Sequence, residues 1–172
     1  MDRRDFLKSA AAGSSWLIAS NHLRKGQSLL ATEASSGGAA LSRVEARYYD
    51  KLPDREIKCR LCPRFCQLGD KERGFCGVRE NQNGKYYTLV YGQVASYNID
   101  PIEKKPLFHF LPGSMAFSIA TAGCNFDCKF CQNWEISQSR PEQTRTYDLP
   151  PTRVAEVTKQ AGSKTIAYTY SE

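Results

Sequence analysis

Two groups of cysteines are the residues of this sequence best suited to chemistry. Cys124, Cys128 and Cys131 form a C-x3-C-x2-C run, and Cys59, Cys62, Cys66 and Cys76 precede them as a four-thiol set. Seven cysteines at such short spacings fit metal ligation better than disulfide pairing, which joins distant segments and leaves no odd partner. Three thiolates spaced this way can wrap one [4Fe-4S] cluster and leave its fourth iron to an exogenous chelate, an open site by construction. Four thiolates saturate a tetrahedral ion or a fully ligated cluster, so the upstream set reads as a closed second metal site. Spacing alone does not separate zinc from iron-sulfur there.

The elements that must position these thiols are readable around them. Met115 to Ala120 reads as a short buried strand, and Thr121-Ala122-Gly123 turns it directly into Cys124, which puts the triplet on a loop at a strand's carboxyl end. In parallel α/β sheets that edge is where ligands bind. Pro150-Pro151 opens a helix through about Ala161 with Val154, Val157 and Ala161 on one face, and Gly162 ends it. Thr165 to Tyr170 reads as the next strand, which completes a βαβ unit. Upstream, Gly69 and Gly74 supply turns between the third and fourth thiols, and Asn83-Gly84 between two short runs signals a hairpin. The expected organisation is a metal-binding β subdomain over 56–94, an extended connector over 95–113 and an α/β part over 114–172. The connector carries His109 between two phenylalanines, which reads as a packed or hydrogen-bonded structural residue, and Lys104-Lys105, which read as solvated charge or as a face for an acidic partner.

The chain has 172 residues, 41% of them hydrophobic, enough for a folded core. Its net charge of +6 is concentrated at the start, in Arg3, Arg4, Lys8, Arg24 and Lys25, and no basic stripe interleaved with aromatics suggests nucleic acid. Arg3-Arg4 before Phe6-Leu7-Lys8 and the mildly apolar run from Ala10 to Ala19 resemble a twin-arginine export signal. The apolar run is too short for a transmembrane span. Residues 1–40 are therefore expected to be a signal and a Ser/Ala/Gly-rich linker, and the location the periplasm or the extracytoplasmic face of the membrane. Against that stands the cytoplasmic supply of low-potential electrons and cosubstrate.

C-x3-C-x2-C with an aromatic, Phe130, before its last cysteine resembles the signature of the radical S-adenosyl-L-methionine (radical SAM) superfamily. The resemblance implies that the open iron chelates S-adenosylmethionine, and that one electron cleaves the sulfonium to methionine and a 5′-deoxyadenosyl radical, which abstracts a substrate hydrogen. It also implies that Phe130 contacts the cofactor and that Ser171-Glu172 fall where the superfamily's amino-group-binding motif lies. Gly123 to Gln138, the upstream thiols and the 100–113 connector are similar to the radical enzyme of the AmmeMemoRadiSam system, a relative of pyruvate formate-lyase activating enzyme. The implied fold is the start of a partial (βα) TIM-like barrel. The chain supplies one helix and two strands of it, so it reads as a fragment of a longer oxidoreductase or activase and as weakly active or inactive alone. The implied partners are a flavodoxin or ferredoxin reductant and a protein substrate. Activation of a glycyl-radical enzyme is the second enzymatic expectation, and an exported two-centre electron-transfer module the non-enzymatic one.

Overall fold

Short strand-like runs broken every few residues by Gly, Pro and Asn can pair only as narrow sheets. In a computed structural model that describes residues 41–169, such runs form four sheets of two or three strands. The twin-arginine segment, the linker and Ser171-Glu172 lie outside the described residues. Strands β1 (Val44–Glu45), β5 (Arg79–Gln82) and β6 (Lys85–Thr88) make one sheet in the order β1-β6-β5. Strands β2 (Tyr49–Lys51), β3 (Ile57–Cys59) and β4 (Gln67–Leu68) make a second in chain order. The Asn83-Gly84 hairpin is present: both residues take positive φ, 54° and 76°, the turn whose twist matches the flanking strands.

The two sheets share a small core of Ala46, Ile57, Cys59, Leu68 and Tyr86. Asn81, fully buried, knits them together. Its Nδ2 donates toward the carbonyls of Arg55 (2.8 Å), Leu68 (3.0 Å) and Gly69 (2.9 Å), and its Oδ1 accepts the Gly84 N–H (3.0 Å). A buried amide so fully satisfied specifies one arrangement of the surrounding loops.

The cysteine triplet hangs from a different sheet. Strands β8 (Ser96–Pro101), β9 (Met115–Ala120) and β11 (Thr165–Tyr168) lie in the order β11-β9-β8, while β7 (Gln93–Val94) pairs with β10 (Tyr147–Asp148). Between them come a one-turn helix, α1 (Trp134–Ser137), and the ten-residue α2 (Pro151–Gln160). Strand β9 matches the expected bounds, and α2 starts at its prolines and ends at Gln160, just before Gly162, whose φ is 70°. Val154, Val157 and Ala161 pack with Ile99, Phe117, Ile119 and Leu149, burying the predicted helix face. Strand β11 runs parallel to β9 with Thr165 opposite Ala116 and stops at Tyr168, two residues short of the expected end.

The expected partial (βα) TIM-like barrel is not formed. Among the described residues every strand pairing except β9–β11 is antiparallel, and there are only two α-helices, one of them four residues long. A parallel barrel needs each strand flanked by parallel neighbours through crossover helices. Here the 95–113 connector, expected as an extended link, supplies β8, which zips antiparallel along all of β9 from Ser96–Ala120 to Pro101–Met115. One helical crossover gives one parallel pair; the rest is hairpin-like β structure. Among the described residues no helix is long and apolar enough to cross a membrane.

At the end of β8 the buried Asp100 carboxylate accepts hydrogen bonds from Lys104 Nζ (2.9 Å), Lys105 Nζ (2.8 Å) and Ser118 Oγ (2.8 Å). The lysine pair thus neutralises a charge of its own chain, Lys105 largely shielded and Lys104 still exposed to solvent. His109 is exposed together with Phe108 and Phe110, which removes the packed alternative of the two expected for it. Burial alone would raise the Asp100 pKa, but the hydrogen bonds from Lys105, Lys104 and Ser118 outweigh it and hold the carboxyl at about 2, below its ordinary 3.8. A carboxyl depressed on folding contributes stability that is complete above its unfolded value and fades as pH falls through its folded one. Asp100→Ala is therefore expected to cost about 3 kcal/mol at pH 7. Urea unfolding of both proteins from pH 7 down to pH 2 should show that difference shrinking below about pH 4.

Candidate metal centres

The first thiol group is gathered by tight turns. Cys59 ends β3 and its N–H donates to the Cys66 carbonyl (2.9 Å), while Phe65 N–H closes the intervening turn onto Cys62 O (3.2 Å). Gly77 N–H, bonded to Gly74 O (2.9 Å), curls the chain around Cys76. All four thiols, Cys59, Cys62, Cys66 and Cys76, consequently line one small cavity, together with Phe75, Arg79 and Tyr86. The Tyr86 hydroxyl is hydrogen-bonded to Cys59, and its pKa is pushed well up, first by burial and then by the Cys59 and Cys76 sulfurs beside it. Gly74 makes room for that hydroxyl, since a Cβ there would stand 3.0 Å from it.

The second group sits on the loop that leaves β9. Gly123 adopts φ 80° and its N–H donates to Ile136 O (2.8 Å), tying the start of the loop to α1. Phe126 N–H donates to Cys124 Sγ (3.5 Å), Cys131 N–H closes a turn onto Cys128 O (3.0 Å), and Cys131 Sγ lies 3.3 Å from Ser137 Oγ on α1. Gln138 Nε2 donates to Phe126 O (3.0 Å). Cys124 and Cys131 are half-buried and Cys128 is exposed. Phe130 is 91% exposed, so its ring faces solvent. No disulfide joins any of the seven cysteines. Among the described residues no group of three or more His, Cys, Asp or Glu side chains is arranged, as it stands, to hold a metal ion. The chemistry of the triplet nevertheless suits a three-thiolate cluster: soft sulfur donors, with N–H or O–H groups against two of them, the contacts that tune cluster sulfurs.

The two groups, well apart in the sequence, touch in the fold. Arg64, from the turn between Cys62 and Cys66, donates Nε to Asn125 O (2.7 Å) beside Cys124, and its guanidinium stacks 3.4 Å above the Phe75 ring. Gly123 packs directly on the Cys76 carbonyl oxygen and on Val78, so closely that a Cβ at position 123 would collide with both. Further out, Arg73 bridges Glu80 on β5 (2.8 Å) and Glu142 beyond α1 (2.5 Å). The available signals were the glycine immediately before Cys124 and the arginine inside the first cysteine run. Each needs its distant partner before it means anything. Next to the loop, the carboxyl ends of the parallel β9 and β11 border an apolar cavity of about 150 Å³ lined by Val94, Ile119, Thr121, Leu149, Val154 and Tyr168.

No family model matches the chain, and no solved structure matches it. It is 48% identical over 128 residues to the uncharacterized protein MJ0808 of Methanocaldococcus jannaschii, a match covering 74% of this chain and 38% of that protein. A second protein of the same organism, the uncharacterized MJ0674, is 29% identical over 102 residues, 59% of this chain and 25% of the relative. The chain thus spans well under half the length of the curated relatives it matches.

The Gly123 contact makes a direct prediction. Gly123→Ala introduces both a strained positive φ and a collision with backbone, and is expected to cost about 2–4 kcal/mol. Denaturant unfolding measures that cost. Hydrogen exchange over 124–131 should rise in the variant, and unchanged exchange would show that the loop does not depend on this seat.

Proposed function

We propose that Cys124, Cys128 and Cys131 hold a [4Fe-4S] cluster whose fourth iron is left to the amino and carboxylate groups of S-adenosylmethionine, and that the protein is a radical S-adenosylmethionine enzyme of the AmmeMemoRadiSam kind. The observation that carries this reading is local. Three thiols, without a fourth on the same loop, follow a glycine at the carboxyl end of the buried β9, beside the parallel β11. When bound, the cluster supplies the single low-potential electron that splits the sulfonium.

The chain's own residues do the holding. Phe126 N–H and Ser137 Oγ lie against Cys124 and Cys131 and disperse thiolate charge, and α1 braces the loop through Gly123 and Gln138. The apolar cavity at the ends of β9 and β11 offers a dry wall beside the loop for part of the cosubstrate. Exposed Cys128 and Phe130 leave the outer side of the loop accessible to a reductant of the flavodoxin or ferredoxin class. A twin-arginine leader is consistent with a chain that takes up its cofactor and folds before export.

Electron paramagnetic resonance of the anaerobically reconstituted, dithionite-reduced chain tests the reading. The cluster signal is expected to change on addition of S-adenosylmethionine, and Cys124→Ala, Cys128→Ala or Cys131→Ala to remove it. A signal indifferent to S-adenosylmethionine means saturated ligation and leaves an electron-transfer module in its place.

A further inference from the structure

We infer that Cys59, Cys62, Cys66 and Cys76 bind a single zinc ion as a closed tetrathiolate site, and not an iron-sulfur cluster. The argument is one of room. The cavity these thiols share is about 10 Å³, close to the space of a single water-sized sphere. As they stand the four thiols are not drawn up around a metal, but one ion with Zn–S distances of about 2.3 Å asks only that they close inward on its centre. An iron-sulfur cluster places several inorganic atoms between its thiolates, so the walls would have to retreat.

Those walls are held. Cys59 terminates a paired strand, opposite Tyr49 of β2. Tyr86, which closes the cavity floor, is 1% exposed, and Asn125 is pinned through its carbonyl by Arg64. The lining also matches the charge of the proposed occupant. Four thiolates around Zn²⁺ leave a net charge of −2, and the charged groups that border the cavity are the guanidinium groups of Arg64 and Arg79. Neither can compete as a ligand. A hydroxyl on a ligating sulfur, as Tyr86 provides to Cys59, is the kind of outer contact that orients a metal ligand.

The site gives the region what its packing lacks. Five buried residues are a thin core for two three-stranded sheets, and a small subdomain of this kind is ordinarily stapled by a metal. Because Cys76 is both a ligand and the surface on which Gly123 rests, the zinc would also fix the seat of the 124–131 loop. With all four positions taken by protein, the ion has a structural role.

Metal analysis and zinc-edge X-ray absorption on the full chain, purified anaerobically from medium containing both metals, test this. The expected result is one zinc per chain with four sulfurs at about 2.3 Å. That zinc should be retained in the Cys124→Ala/Cys128→Ala/Cys131→Ala variant, and its content should fall about tenfold or more in Cys62→Ser/Cys66→Ser. Since the latter variant can misfold, Co²⁺ is also exchanged into the triple-alanine protein, where intense thiolate-to-cobalt charge-transfer bands with tetrahedral d–d bands are expected. Iron with labile sulfide in the triple-alanine protein, a zinc shell of fewer than four sulfurs, or absence of metal each overturns the inference. Zinc without a cluster responsive to S-adenosylmethionine would uphold it while removing the enzymatic reading.

Discussion

The arrangement of this protein depends on one close approach, that of Gly123 to the carbonyl oxygen of Cys76. Only a residue without a side chain can lie there, and only at a positive φ can the chain then turn from β9 into the loop. The contact sets where Cys124 begins relative to the upstream thiols. The Arg64 hydrogen bond to Asn125 O and the Arg73 bridge to Glu142 hold the same two regions together on either side of it.

Around that contact the molecule has little apolar packing to spend, and buried polar groups do much of the ordering. Asn81 satisfies three carbonyls and an amide between the two upstream sheets, while Asp100 gathers two lysines and a serine at the far end of β8. Hydrogen-bonded networks of this kind specify geometry more than they add stability, since each member costs desolvation that its partners only offset. Narrow sheets positioned by polar hubs would suit the metal centres proposed above, because thiolate ligation would supply the cohesion that a small core does not.

The same frame rationalises a division of labour between the thiol groups. The upstream four line one small cavity, Cys59 buried and the other three half-buried; the downstream three lie on a loop whose middle cysteine is exposed. A closed site suits a permanent staple, and an open loop suits a group that must meet other molecules. The apolar cavity at the ends of the parallel strands lies on the loop's side of the molecule, continuous with it through Thr121.

Local signals in the sequence were enough to determine the Asn83-Gly84 hairpin, strand β9, helix α2 from its prolines to Gly162, and the parallel pairing of β9 with β11. The turn, the strand and the helix depend on φ preferences and burial periodicity, properties of a few neighbouring residues, and the parallel pairing follows from the general geometry of a strand-helix-strand crossover. The fold class was misread because β8 comes from a proline-marked stretch whose identity as a strand is decided by its partner, and an antiparallel neighbour for β9 excludes the (βα) barrel that a βαβ pattern suggests. Likewise the grouping of the cysteines was plain from spacing, but the volume they enclose was not, because it depends on Tyr86, 20 residues beyond Cys66 and held by another sheet. What only the tertiary structure decided were the contacts between distant segments: Gly123 on Cys76, Arg64 on Asn125, and Ser118 on Asp100. No local propensity encodes these, since each residue's role exists only once its partner has been brought beside it.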